Sequence, residues 1–448
     1  MKTLLDLAQK LNRKKVSSQQ LVQHCLENIE AENGEGHNAF ISVFRERAMA
    51  EAVAVDVARR EGRLSSPFAG IPISIKDLFD VAGMVTTAGS HVLDKEPAAT
   101  HDALIVQRLR SAGFIIIGRT NMTEFAYSGL GLNTHFGTPA SPFDRRTRRI
   151  PGGSSSGGAV SVSDSMAAAT IGTDTGGSTR IPAALCSIVG FKPTAERVPQ
   201  RGCIPLSTSL DSIGPMANTV TCCSVLDTIM SGGEHIELTP YPQVGLRLGV
   251  LDGFALENLD GEVSSPFEAV LDRFSKRGIL TKTVNLPELE NYQAHANRSS
   301  LIGGEAYAWH QQFLDIRHDH YDPWVRERIS AGKSFTAADY INTVKRRFDC
   351  QLATHNRCIG IDALVLPTVP IVAPPIAELI QNDELSSAVN LTTLRNTSIA
   401  NTLNAPAITI PCNAPGNAPV GFMLLGKTGE DEKLLSIALS LEPIIRRS

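Results

Sequence analysis

The sequence predicts an α/β fold, because segments of helical period alternate along it with short apolar runs of strand character. Two serine–glycine knots set inside core-forming sequence add rigid turns to that alternation. In chain order, Ser17-Ser18-Gln19-Gln20 reads as a capping box, with Leu21, Val22, Cys25 and Ile29 as the apolar face of the helix behind it. Gly34-Glu35-Gly36 ends that helix, and an alanine- and arginine-rich helix follows from about Glu46 to Glu61. Ile71, Ile73 and Ile75 alternate with Pro72, Ser74 and Lys76, so a strand here turns the isoleucines to one face and Ser74 with Lys76 to the other. Asp102 to Ala112 reads as a helix with Leu104, Ile105 and Leu109 inward, while Phe114 to Ile117 and Ala363 to Thr368 read as strands.

Composition narrows the function classes. A chain of 448 residues exceeds the usual size of one hydrophobic core, so length alone suggests two or three domains. With 42% hydrophobic and 20% charged residues the composition is that of an ordered globular enzyme. A net charge of −4 gives no reason to expect nucleic acid or an anionic membrane as partner. No apolar run approaches the ~20 residues of a membrane span, and the start lacks the apolar core of a secretory signal. The eight cysteines form no C-x-x-C pair and no metal-ligand spacing, which suits reduced thiols in the cytoplasm.

The stretch from Pro151 to Pro193 carries the chemistry. It holds the knots Gly152-Gly153-Ser154-Ser155-Ser156-Gly157-Gly158 and Thr175-Gly176-Gly177-Ser178, with the apolar run Met166–Ile171 between them. A flexible linker would not be interrupted by Val160, Val162, Met166 and Ile171, nor run on into Ile181, Leu185 and Val189. Gly172 to Thr179 matches the spacing of a phosphate loop, but Ser178 stands where the lysine belongs and Asp174 would repel phosphate. Serines on tight glycine turns instead gather hydroxyls and backbone N–H groups in one small space, as acyl transfer requires.

Gly153-Ser154-Ser155, then Gly172-Thr-Asp-Thr-Gly-Gly-Ser178-Thr-Arg-Ile-Pro, with Ile73-Ser74-Ile75-Lys76-Asp77 upstream, resemble the amidase signature family. The resemblance runs from about Leu21 to Glu442. It implies a single large α/β/α unit over residues 1–448 around a mixed sheet, with a catalytic core at 65–220 and a variable, substrate-side segment at 239–333. It also implies a serine hydrolase of carboxylic amides in which Ser178 is the nucleophile, Ser154, on a cis peptide, the relay, and Lys76 the base. Backbone N–H groups at Thr175, Gly176, Gly177 and Ser178 would then hold the oxyanion, and Ser155 would tune the relay. Lysine can act as a base once burial pulls its pKa down, and its place on a core strand suits that role.

Other features receive structural readings. Asp174 and Arg180 are expected to brace the loop as an ion pair, and Arg145, Arg146, Arg148 and Arg149 to form a solvated basic loop rather than attract a carboxylate-bearing substrate. His318-Asp319-His320 lacks a third metal ligand, and Tyr307, Trp309, Phe313, Tyr321 and Trp324 suit helical core packing, with a pocket wall as the alternative. No cofactor or metal is expected. The sequence points to a free-standing amidase acting on a small amide, a homodimer being unsurprising. The alternative is the glutaminase component of a tRNA-dependent amidotransferase.

Overall fold

Strand pairing in the computed structural model joins eleven strands into one mixed sheet. The structure describes residues 3–64, 66–233, 238–296 and 301–446. In chain order the strands are β1 (Phe40–Val43), β2 (Pro72–Lys76), β3 (Ile115–Thr120), β4 (Ala169–Asp174), β5 (Val189–Lys192) and β6 (Ser212–Ala217). They continue as β7 (Arg247–Leu251), β8 (Leu280–Val284), β9 (Ala363–Pro367), β10 (Ala407–Pro411) and β11 (Gly421–Leu425). Across the sheet the order is β1-β3-β2-β4-β6-β5-β10-β11-β9-β7-β8. β2 runs parallel to both β3 and β4, and β7 runs parallel to both β8 and β9; the remaining pairs are antiparallel.

Helices cover both faces. On one, Ile71, Ile73 and Ile75 pack with Ala169, Ile171, Phe191, Ile213 and Phe422 beneath the helices Leu104–Ser111, Val220–Ser231, Gly261–Ser275 and Asp431–Ile445. On the other, Ile115, Ile117 and Met216 meet Val22 and Leu26 of the helix Ser18–Ile29 and Ala48 and Ala52 of the helix Arg45–Arg60. Both bonds of the expected capping box form: Ser17 Oγ accepts from Gln20 N–H, and Gln20 Oε1 accepts from Ser17 N–H. β2 divides as the isoleucine alternation predicts. Its isoleucines enter the first core, while the Ser74 hydroxyl lies 2.9 Å from Ser161 Oγ and Lys76 reaches Ser154.

The fully buried β2 and β4 bring two chain segments to one end of the sheet. The helix Ser156–Ser163 begins inside the first knot and packs against β4, and the helix Arg180–Leu185 follows the second. The segment expected to be variable contributes β7 and β8 to the sheet edge and then the helices Leu301–Leu314 and Pro323–Ala331. Residue 65, the first of the expected core, and residues 297–300 of that segment lie outside the described residues.

Gly214 shows how tightly β6 is enclosed. A Cβ there would lie inside contact distance of the Phe191 carbonyl oxygen, a backbone atom that cannot rotate away. Gly214→Ala is expected to cost about 1–3 kcal/mol through overpacking. It should lower the midpoint of urea unfolding, and an unchanged midpoint would show that the strands part to admit a methyl group.

Candidate active site

Lys76 ends β2 with its ammonium group inside the protein. Its Nζ donates to Ser154 Oγ at 2.7 Å and to Thr173 Oγ1 at 2.9 Å. Lys76 and Ser154 are both fully buried, and the Gly153–Ser154 peptide bond is cis. No carboxylate comes within ion-pair distance of Lys76 among the described residues. Burial pulls the lysine down to about 7, with the charges of Asp211 and Asp174 opposing the shift.

The second knot lies between β4 and the helix Arg180–Leu185. Gly177 has φ +140°, and a Cβ there would collide with the Thr397 hydroxyl, so glycine is required for both conformation and space. Thr397 Oγ1 donates to the Gly176 carbonyl at 2.7 Å, turning that oxygen away and leaving the loop amides free. The amides of Gly176, Gly177 and Ser178 have no protein acceptor among the described residues. Thr175 Oγ1 donates to Asp211, which also accepts from the amides of Leu206 and Ser207. Burial pushes Asp211 up to about 6 despite those bonds.

Ser178 is 3% exposed. Its carbonyl accepts from Ser155 N–H at 3.3 Å, so the two knots are joined through the backbone. Ser155 Oγ points to the Thr173 carbonyl at 3.5 Å. No hydrogen bond links the Ser178 hydroxyl to Ser154 or Lys76 among the described residues. Free enzymes often hold such bonds long, and they tighten when substrate is bound.

Several residues that shape this site carry little or no signal in the sequence. Thr173 stands inside the quoted motif, and Asp211 in the run Asp211-Ser212-Ile213-Gly214-Pro215, so both were within reach. Thr397 and Asn401 lie in a polar helical stretch with no motif or turn signal. The arginine cluster is largely neutralised: Arg145 pairs with Asp164, Arg148 with Glu35 and Arg149 with Asp144. His318 bonds Asp319 in an exposed turn, and the described residues contain no group able to hold a metal ion. Trp309, Phe313 and Tyr321 pack around Phe125 and His310, and the half-buried Trp309 and Phe313 also line a cleft with Leu93 and Ile204.

Asp174 braces the loop more fully than an isolated ion pair would. Its carboxylate accepts from Arg180 Nε at 3.0 Å and Nη2 at 2.8 Å, from Thr179 N–H and Oγ1, and from Asn401 Nδ2. Burial works against its charge, yet Arg180 and these donors hold it well below the usual carboxylate range. Arg180→Met would leave that carboxylate buried without its counter-ion. The expected loss is about 3–5 kcal/mol of stability, measured by urea unfolding, and a loss below about 1 kcal/mol would show that Thr179 and Asn401 suffice.

The chain resembles known proteins along nearly its whole length. A family model described as Amidase matches residues 20–435. The chain is 32% identical to a 2-amino-5-chloromuconic acid deaminase of Comamonas testosteroni, covering 99% of this chain and 96% of the relative. It is also 32% identical to a component of the glutamyl-tRNA(Gln) amidotransferase of Roseiflexus sp. (strain RS-1), covering 97% and 94%. A crystal structure of an amidase superposes with a TM-score of 0.88 at 32% identity, over 98% of this chain and 99% of the other. On a family match of this extent, the chain belongs to the amidase family and is a hydrolase of carboxylic amides.

Proposed function

We propose that the protein is a free-standing cytoplasmic amidase in which Ser178 is the nucleophile, Ser154 the proton relay and Lys76 the base. The observation that carries this reading is the fully buried Lys76, hydrogen-bonded to Ser154 and lacking a carboxylate partner. A lysine placed so is a poor structural element and a good base near neutral pH. The amidase relatives and the free amides of the loop support the same assignment.

Attack by Ser178 Oγ on the amide carbonyl passes its proton to Ser154, whose own proton goes to Lys76. The amides of Thr175, Gly176, Gly177 and Ser178 receive the developing oxyanion, and Ser155 steadies the relay from the neighbouring position. Collapse of the tetrahedral intermediate breaks the C–N bond, and the departing nitrogen takes a proton back through Ser154. Water then repeats the sequence on the acyl-enzyme, freeing the acid and Ser178. Tyr292, Leu301 and Ile302 line a cleft of about 380 Å³ beside Thr175 and Gly176, which supports residues 239–333 as a substrate-side region.

The amidotransferase relative favours a second reading, the glutaminase component of a tRNA-dependent complex. Length does not separate the two, since this chain covers 94% of that relative. The 2-amino-5-chloromuconic acid deaminase relative, named for releasing an amino group from an organic acid, favours the first. Seven cysteines from Cys186 to Cys412 carry free thiols, which supports a reducing compartment.

Ammonia release from simple amides, glutamine and asparagine tests the assignment. Ser178→Ala and Lys76→Ala are each expected to lower kcat by about 10⁴-fold or more, and activity surviving Ser178→Ala would overturn the mechanism. Release confined to glutamine and dependent on an added partner protein would select the second reading.

The base must be neutral to accept a proton. With Lys76 drawn down to about 7, kcat/KM should therefore fall as pH drops below about 7 and level off above it. A rise continuing toward the pKa of a solvated lysine would show that another group sets the rate.

A further inference from the structure

Arg395 is the one formally charged residue lining the cleft beside Gly176, among the described residues. Leu210, Ile302, Leu391 and Leu394 make most of the remaining wall apolar. The half-buried Arg395 donates from Nη2 to the Glu257 carbonyl at 2.7 Å and from Nε to Asn396 Oδ1 at 3.3 Å. It forms no ion pair among the described residues, the Glu257 carboxylate acting on it only from beyond contact, and its Nη1 has no protein acceptor there.

The place of this charge is fixed relative to the loop. Thr397, two residues on, holds the Gly176 carbonyl, and the Leu394 side chain lies 3.3 Å from where a Cβ on Gly176 would stand. A second guanidinium backs the same wall. Arg347 donates to the carbonyls of Ser209, Asn401 and Thr402, and it too lacks an ion pair among the described residues. Asn401 and Thr402 themselves line the cleft. Arg395 thus lines the cleft and Arg347, offset from a distance by Glu196 and Glu305, stands behind it, while the described lining holds no carboxylate.

We propose that this cleft is a carboxylate subsite and that the substrate is an amide whose far end carries a carboxylate, such as the monoamide of a small dicarboxylic acid. Arg395 selects it. The inference rests on the reading of Ser178 as nucleophile, which places the scissile amide beside Gly176. A short aliphatic spacer crosses the apolar wall, and the terminal carboxylate supplies the counter-ion that the guanidinium lacks. Charge-assisted bonds to a planar guanidinium are stronger than neutral ones and suit a carboxylate in geometry. A substrate ending in methyl leaves that charge unpaired.

The test pairs each acid amide with its neutral counterpart: succinamic acid against butyramide, and glutaramic acid against valeramide. The wild-type kcat/KM should favour the acid amides by about 10- to 100-fold, as loss of a charged hydrogen bond implies. Arg395→Gln should raise KM for the acid amides and collapse that preference, while Arg395→Lys, which keeps the charge, should retain part of it. Equal rates on both members of a pair, or a preference surviving in Arg395→Gln, would overturn the subsite and leave the amidase reading intact. Calorimetry of succinamic and glutaramic acids with Ser178→Ala provides a readout without turnover. Binding lost on adding Arg395→Gln supports the subsite, hydrolysis of neither amide by the wild type would overturn the proposed substrate class, and activity surviving Ser178→Ala would overturn the nucleophile assignment alone. Binding unaffected by the second substitution would overturn the subsite.

Discussion

Asp174 ends β4 with a fully buried carboxylate, and donors from Thr179, Arg180 and Asn401 converge on it. The loop bearing Ser178 leaves β4 at this residue and enters its helix at Arg180, so the ion pair closes both ends of the loop at once. Arg180 also donates to the Thr397 carbonyl and to Asn401 Oδ1. The same guanidinium therefore binds the Ser178 loop to a segment more than two hundred residues away. That segment acts on the loop in turn through Thr397, which orients the Gly176 carbonyl. A buried pair of this kind adds little net stability over apolar packing, but removing either member is strongly destabilising. Its contribution here is geometric: the loop amides are held in place before any substrate arrives, and preorganised donors stabilise transition states best.

Lys76 obeys the opposite logic. Asp174 is kept charged by its donors, whereas Lys76 is surrounded by hydroxyls that solvate it without a formal counter-charge. Thr173 and Ser154 accept its protons, and Asp174 and Asp211 act only from a distance. Burial is left as the dominant influence, which puts its titration near neutrality. Sheet architecture makes the placement possible. β2 is buried on both faces, so its polar residues must point toward Ser161 and Ser154 rather than water. Two lysines on the sheet illustrate the effect of partners. Lys192 is also buried and drawn down to about 7, yet it donates to the Pro193 carbonyl and, among the described residues, to no serine or threonine hydroxyl.

Much of this was legible in sequence because its signals are local. The Ser17–Gln20 box, the isoleucine alternation of β2 and the glycine turns each depend on residues a few positions apart, and the structure contains all three. The motif residues Lys76, Ser154, Ser155 and Ser178 do come together, although the bond from Ser178 to Ser154 is not made. What sequence could not supply was partnership across distance. Nothing in the run Asn396-Thr397-Ser398 marks Thr397 as the residue that closes on Gly177, since that contact spans the fold. β1, the strand at one sheet edge, leaves no trace in the pattern because its four residues, Phe-Ile-Ser-Val, are too few for a period to register.

Charge shows the same limit most sharply. In sequence Arg145 to Arg149, a dense basic run next to the first knot, reads as a solvated loop, with attraction of an anion as the weaker alternative. Folding pairs most of that charge with Asp164, Glu35 and Asp144, carboxylates brought to it by the fold. Arg395, which forms no ion pair among the described residues, has no basic neighbour in sequence and sits at the end of an ordinary helix. A cluster of like charges is an electrostatic cost that folding tends to relieve, so density along the chain is a poor guide to available charge. Availability depends on which carboxylates the fold brings near and on how much water remains. A half-buried guanidinium whose nearest carboxylate, Glu257, acts on it without forming an ion pair has lost part of its hydration at the edge of the cleft and gained little in exchange. A ligand carboxylate is the group best suited to relieve that imbalance, through charge-assisted bonds to the planar guanidinium.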